Sequence, residues 1–484
     1  MKAELREHLE EALRRGHEIQ KFVAGLTLEQ YSSDDRTRLA VERSFEIISE
    51  ALNRSFKIAP QQLGLPDLKP DKPDPSLAIS DRHIDCSSPL MHSPLAVSIT
   101  SAIALLLNTL HAAPKARFEP QDVDTSISIG YGIAIADVNG DGKPDILLAD
   151  QRSVQWYQNP TWTKHVICEN LTERDNVCIA AQDIDGDGKA EIAIGAQWNP
   201  GETTDPEKSG GVFYLVPPTD RTQRWEPVKL HHEPTVHRMH WIKTPSGKWD
   251  LIVKPLHGRG NKNNAGEGSK VFAYRMPANP KDPWTLSLVS DFTHASHNFH
   301  PINWDKDPEQ EILTAAKEGV FFFGQSTGTW KKRQFSDQWA GEVRDGKLAS
   351  GKRFFATIEP MHGTTVAVYT QPDSGKGLWN RLVLDETLKD GHAVAVADFL
   401  GTGSDQIVAG WRAMNPKGNP GVRLYAPTSD AGSQWESTAL SGDEVAIEDI
   451  KAADLDGDGR PDLVLAGRQT KNLRILWNRT EKTR

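Results

Sequence analysis

From about residue 115 onward the chain alternates short apolar runs with polar turns. Gly132-Ile-Ala-Ile-Ala136 and the tails of DVNGDGKPDILLA (137–149) and DIDGDGKAEIAIG (183–195) are each only a few residues long, bounded by Gly, Asp and Asn. Runs of that length with those boundaries predict β-strands. The N-terminal 57 residues follow another period. Apolar positions recur three and four residues apart over 4–22 and 37–56, which predicts two amphipathic helices, with Ser33, Asp34 and Asp35 as cap material between them. A Pro-rich stretch, APQQLGLPDLKPDKPDPS (59–76), cannot continue them, so 58–90 reads as a linker. The longest apolar run, Leu95 to Leu110, follows Met91 and precedes His111-Ala112-Ala113 and Pro114. It is short for a spanning helix, which needs about 20 residues. The layout of 91–113 is that of a secretory signal, although no Lys or Arg lies between Met91 and the run. The expectation is that translation of the part beyond begins at Met91; a true upstream fusion would instead make 95–110 a membrane anchor.

The strand-rich part repeats. DVNGDGKPDILLA, DIDGDGKAEIAIG and DLDGDGRPDLVLAG begin at Asp137, Asp183 and Asp454, and degenerate copies begin at Lys243, Asn303, Lys347 and Asp398. Successive starts lie 44–60 residues apart, room for four short strands per unit. Seven such units predict a seven-bladed all-β propeller over 115–484, closed by strands from 117–129 and 473–477, and preceded by the short helical segment.

The full copies place oxygens at alternate positions of a tight loop, an arrangement suited to a hard cation such as calcium. Asp137, Asn139, Asp141 and Asp145 form the first set, with the Lys143 carbonyl as a further ligand. Asp183, Asp185, Asp187 and Glu191, with the Lys189 carbonyl, form the second; Asp454, Asp456, Asp458 and Asp462, with that of Arg460, form the third. An EF-hand begins alike but needs flanking helices and a Glu at position twelve, where this chain has Leu148, Ile194 and Leu465. A metal-free Asp/Gly turn is the plainer alternative, and three copies in one strand–loop–strand context weigh against it. The Asp398 copy has Leu400 and Thr402 at ligand positions and is expected to hold no metal; the Asn303 copy keeps acids but has Pro308 for glycine.

These loops are similar to those of the FG-GAP/VCBS repeat family, seen in integrin-like and bacterial exported propellers. The resemblance covers about 117–478 and implies a calcium-stabilised propeller. RTRLAVERSFEIISEALNRS (36–55) resembles the helical core of the HEPN-type minimal-nuclease toxin family. That family cuts RNA with an Arg and a His a few residues apart on a later helix; here Arg82 and His83 are adjacent and follow the linker, so an active ribonuclease is not expected.

Aligning the units exposes a second register. Six residues before each loop stand Tyr131, Val177, His237, His297, Gly341 (beside Glu342), His392 and Glu448. In a propeller this is where the innermost strand begins, at one mouth of the central channel. Imidazoles with carboxylates can act as acid and base or hold a second divalent metal, so His237, His297, His392, Glu342, Glu448 and Tyr131 are the catalytic candidates. The plain alternative for each histidine is polar packing against a backbone carbonyl. Segments after the second strands add Lys254, His257, Arg259, Lys317, Glu359, His362, Trp411, Arg412 and Arg468 as ligand-binding candidates for anionic or polyhydroxylated groups. The strings HASHNFHPINW, EPMHG and DGHAVAVADFLGTGSDQIVAGWR resemble the propeller part of aldos-2-ulose dehydratase-like proteins, which implies metal-assisted dehydration of keto-sugars; the cupin-like domains of those enzymes are missing here.

Composition narrows the field. The 14 Trp and 38 Gly against 6 Met suit a turn-rich β protein, and a net charge of −10 argues against nucleic acid as the propeller's partner. Three cysteines make no disulfide framework; free buried thiols are expected at Cys168 and Cys178 rather than a bridge. No nucleophile elbow, P-loop, dinucleotide fingerprint or HExxH helix occurs, and Gly258-Arg259-Gly260 opens no helix. The expectation is a monomeric, secreted, periplasmic or cell-surface module that recognises carbohydrate or an extracellular protein, with a sugar lyase or dehydratase and an adhesion scaffold as the alternatives.

Overall fold

The computed structural model describes residues 114–481, apart from 306, 327–328, 415–416 and 442–443, and scattered positions between 8 and 54. The chain divides into two units, 1–113 and 114–483. In the first, the described positions are helical except Asp34, whose carboxylate accepts the N–H groups of Arg36 (3.1 Å) and Thr37 (3.3 Å) in the manner of a helix N-cap. The linker and the signal-like run lie outside the described residues.

The second unit is a propeller of seven four-stranded antiparallel sheets. The innermost strands of blades 1 to 7 are Gly132–Ala136, Cys178–Gln182, Val236–Lys243, Asn298–Ile302, Glu342–Lys347, Gly391–Ala397 and Ile447–Ala453. Each contacts the innermost strand of the next blade, and blade 7 returns to blade 1. The seventh sheet is composite. Its outermost strand, Phe118–Asp124, comes from the start of the unit and pairs with Leu473–Asn478, Phe118 facing Asn478. An ion pair from Arg474 Nε to Asp122 (2.7 Å) fastens the seam.

The strand sequences follow from position in the ring. Second strands such as Asp145–Ala149 and Asp462–Gly467 are buried along their whole length, because a blade lies on each face, so they read as continuous apolar runs. Innermost strands converge on the axis and favour small residues. A Cβ on Gly346, in the innermost strand of blade 5, would lie 2.7 Å from Val396 Cγ1 of the next blade. Between blades 4 and 5 the gap is filled by aromatics, with Phe335 stacked on Trp379 at 4.8 Å and Phe355 on Tyr369 at 4.5 Å. Cys168 and Cys178 are unpaired and buried, and burial pushes both thiols up to about 12, which leaves them inert packing groups.

Neighbouring blades are also clasped by asparagines at matching positions. Asn159 Nδ2 donates to Pro144 O (3.0 Å) in its own blade and to Leu455 O (2.7 Å) in blade 7. Asn478 Nδ2 donates to Pro461 O (3.1 Å) and, across to blade 6, to Phe399 O (2.8 Å). Both residues are almost fully buried, so truncation strands their acceptors without water. Asn478→Ala should lower unfolding free energy in urea by about 1–3 kcal/mol, and a loss below about 0.5 kcal/mol, the range of a neutral surface change, would show that the clasp is not a structural tie.

Candidate functional site

The innermost strands carry candidate chemistry at their two ends, though not in every blade. At the far end stand the acidic loops. Asp137 accepts the N–H groups of Gly140 and Gly142, both at 2.7 Å, and those glycines have φ of 83° and 80°, which a side chain would strain. Asp183 and Asp454 repeat the pattern with Gly186 and Gly188, and with Gly457 and Gly459. The N–H groups of Lys143, Lys189 and Arg460 are bonded to Asp141, Asp187 and Asp458.

The closing acids Asp145, Glu191 and Asp462 lie buried beneath the loops. Burial, helped by neighbouring loop aspartates, pushes them up to about 6, 7 and 6. In three loops one oxygen from each of three acids falls within 4.8 Å of the others: Asp183, Asp185 and Glu191; Asp305, Asp307 and Glu311; Asp454, Asp456 and Asp462. The Asn303 copy therefore gathers its carboxylates despite Pro308. The first loop, with an amide at Asn139, is not among these close groups. Counter-charge stands close by, with Arg221 3.4 Å from Glu191 and Arg479 2.8 Å from Asp456. The all-oxygen donor set at alternate positions fits calcium. In blade 6 Asp398 still accepts the Thr402 and Gly403 N–H groups, but Gln406 accepts the Leu400 N–H at 2.8 Å where the four acidic loops use a buried acid.

At the near end lies the channel mouth. The pairing between first and second strands skips one residue in three blades, and the skipped residues are His237, His392 and Glu448. These are β-bulges, which re-aim a side chain that the regular pleat would send elsewhere. His297 immediately precedes its strand, and His362 arrives from the loop after the second strand of blade 5 with φ of 56°, a conformation that costs a residue with a side chain about 1–3 kcal/mol.

The ring nitrogens of His297, His362 and His392 come within 4.8 Å of one another. The His297 and His362 Nε2 atoms are 3.0 Å apart, and the His237 ring lies 4.6 Å from that of His297. Three of these imidazoles turn Nδ1 toward a backbone carbonyl: His237 to His297 O (2.8 Å), His297 to Gly341 O (3.2 Å) and His392 to Glu448 O (2.6 Å). That orients Nε2 inward, the arrangement that prepares histidine to ligate. Burial first, and then nearby arginines, hold His237, His297 and His392 well below the usual histidine range; burial, His297 and Arg412 bring His362 down to about 2. All four are neutral imidazoles.

A charged network surrounds them. Arg412 grips Asp390 with two bonds (3.0 and 2.8 Å), reaches Glu448 at 3.1 Å and donates to His362 Nδ1 at 3.2 Å. Arg468 bonds the other Glu448 oxygen at 2.8 Å and lies over the Tyr131 ring at 5.0 Å. The Tyr131 hydroxyl donates to Asp175 at 2.9 Å, and burial pushes this phenol up. Glu342 sits 3.0 Å from His297 Nδ1 and accepts from Asn298 Nδ2 at 2.6 Å.

Residues 137–194 match the FG-GAP-like repeat. Residues 12–79 match the ribonuclease HepT-like family, a span that runs past the predicted helices into the Pro-rich stretch. No curated protein sequence matches the chain. Among solved structures, an Agrocybe aegerita lectin recognising non-reducing terminal N-acetylglucosamine is 16% identical, with 66% of this chain and 81% of that one covered and a TM-score of 0.42. BBS1N in complex with ARL6DN is 12% identical over 76% of this chain and 98% of that one, with a TM-score of 0.47. A mitotic checkpoint complex chain is 10% identical over 76% and 95%, also at 0.47. At these values the likenesses say nothing of ligand or partner.

The matched FG-GAP-like repeat contains the first two acidic loops and the Val177 position of the mouth register. Of the rim candidates, His362, Arg412 and Arg468 stand at the mouth. His257, Arg259 and Lys317 hold loops on one side, bonded to His294 O (2.9 Å), Glu233 (2.9 Å) and Asn264 O (3.0 Å). Trp411 donates to Asn419 O and lies beneath Arg423. Lys254 and Glu359 lie in the wall. Lys254 is 1% exposed and bonds Asn298 O, Thr314 and Ala315 O, while Glu359 is clamped by Arg381, Thr357 and Tyr369.

Sequence reading passed over Asp390, Asp175 and Arg238, whose Nη1 meets His237 Nε2 at 3.3 Å. Asp390 and Arg238 are near neighbours of the mouth histidines in the chain, which is the signal that could have found them. Asp390→Ala leaves a buried guanidinium short of its bidentate partner and should cost about 3–5 kcal/mol in chemical unfolding. Arg468→Ala, which leaves Arg412 on Glu448, should cost under about 1 kcal/mol. Equal losses would refute the ranking of these contacts.

Proposed function

We propose that this chain is an exported, calcium-stabilised propeller whose channel mouth recognises an oxygen-rich ligand, carbohydrate first and the surface of an extracellular protein second. The observation that carries the reading is the convergence of His297, His362 and His392. Three neutral imidazoles, two of them anchored through Nδ1, form a donor set for zinc or a similar divalent transition metal. Bound there, such a metal supplies a Lewis-acidic position for sugar hydroxyl or carbonyl oxygens. The chain's own part is to hold the imidazoles unprotonated, to keep Glu448 and Asp390 occupied by Arg412, and to present Arg468 and Tyr131 beside the opening. His362 is the ligand that must rearrange, since its Nδ1 accepts from Arg412 and its Nε2 proton then points at His297. Calcium in the acidic loops acts on stability instead, neutralising buried carboxylates and adding binding energy to folding.

A lyase or dehydratase reading has its own support. Tyr131, whose hydroxyl donates to Asp175, stands at the same mouth as the imidazoles, and a phenol beside an imidazole is a pair of the kind that acid–base elimination uses.

Metal analysis of the purified full chain should find about one transition-metal equivalent, lost in His297→Ala and His392→Ala while calcium is retained. Equal metal content in wild type and both variants would overturn the triad assignment. Glycan binding that survives both substitutions would move recognition elsewhere, and turnover of keto-sugars, followed by product absorbance, would decide for the enzyme. Chelation should lower the melting temperature by several degrees, with calcium restoring it, and Asp183→Ala should release one calcium; a melting curve indifferent to chelator would sink the structural-calcium reading.

A further inference from the structure

The channel has a second end, and it is built for the opposite charge. A cavity of about 350 Å³ opens toward the acidic-loop side, lined in part by Trp241, Trp249, His240, His300, Arg344 and Lys451. Arg344 is 7% exposed. Its Nη1 donates to Val343 O at 2.6 Å, its nearest carboxylate is Glu342 at 3.9 Å, and among the described residues its Nε and Nη2 have no acceptor. Arg238 stands with it around a narrower void just above. The acids nearby are turned elsewhere: Asp449 holds Lys451 at 3.0 Å, Asp345 pairs with Arg353 at 3.2 Å and lies 3.7 Å from His300 Nε2, and Glu342 gives one oxygen to Asn298 while the other, 3.0 Å from His297 Nδ1, has no hydrogen-bond partner among the described residues.

The two histidines report the same field. Burial first, and then Lys451, Arg344 and Arg238, hold His240 well below the usual histidine range; burial and Arg344 do the same for His300. The His300 side chain is 32% accessible yet lies deep in the ring, so its open surface faces the cavity. Neutral imidazoles can donate to an anion without competing for its charge.

From these observations we infer a second binding site, specific for an oxyanion, in which Arg344 supplies the guanidinium fork and His240 and His300 supply ring N–H donors, with the Lys451–Asp449 pair beside them. A buried guanidinium with no carboxylate in hydrogen-bond contact is costly to maintain, and an oxyanion presenting two oxygens is what its fork matches. The volume, at the lower end of the range for ligand pockets, accommodates either a hydrated inorganic oxyanion or the carboxylate end of a six-carbon sugar acid. No side chain of this site belongs to the histidine triad at the other mouth.

The test is thermal unfolding of the full chain in inorganic phosphate or in gluconate, each against chloride at matched ionic strength. A saturable rise of about 2–4 °C in the low millimolar range is expected. It should vanish in Arg344→Gln and in His300→Trp, which fills the cavity should the arginine variant fail to fold. His362→Ala, at the far mouth, should leave the shift intact. A response to phosphate alone assigns an inorganic oxyanion, and a response to gluconate alone assigns a sugar carboxylate. No saturable shift with either, or a shift that survives in folded Arg344→Gln or in His300→Trp, overturns the site.

Discussion

Seven sheets close into a ring only if their innermost strands can approach one another around a common axis, and much of the molecule follows from that crowding. Gly132, Ala134, Ala180, Ala393 and Ala395 lie on those strands because larger side chains would meet the next blade's backbone; a Cβ on Gly132 already comes within 3.3 Å of Cys178 Cα. The small residues let the strands converge, and the large ones pack one layer out, between blades, where Trp156, Phe335 and Tyr425 are almost wholly buried. The axis is left as a narrow polar channel. Side chains that reach it must be polar enough for its confined water and ordered enough to share it.

That constraint explains the bulges. A regular strand presents alternate residues to the axis, whereas blade 3 presents His237 and His240, and blade 7 Glu448 and Lys451, each pair three apart. The extra residue at His237, His392 and Glu448 resolves the mismatch and places one polar side chain at the mouth without displacing the next from the channel below. The mouth is therefore a property of local backbone irregularity laid on a regular ring.

The repeat was legible because it is periodic. Loop motifs at Asp137, Asp183 and Asp454, spaced for four strands, give the blade count, and the register six residues upstream finds His237, His297, His392 and Glu448. What escaped depends on contacts without period. His362 comes from an irregular loop in a left-handed conformation, so its alliance with His297 and His392 has no spacing to reveal it. Lys254 reads as a rim charge because it follows a second strand, yet a long aliphatic stem can carry an ammonium into the wall when carbonyls wait there. The clasping asparagines, Asn159 and Asn478, look like ordinary strand-end residues until both neighbouring blades are in view.

The arginines at mid-channel tie the two ends together. Arg238 lowers the proton affinity of His237, His297 and His392 above it and of His240 below it. A carboxylate in its place would draw protons onto those rings and turn acceptors into cations. The same positive charge that keeps the upper imidazoles able to donate a lone pair makes the lower cavity attractive to an anion. The channel thus needs its guanidinium groups incompletely neutralised, and the commitment of Asp449 and Asp345 to other partners, with Glu342 turned toward Asn298 and His297, is what leaves them so.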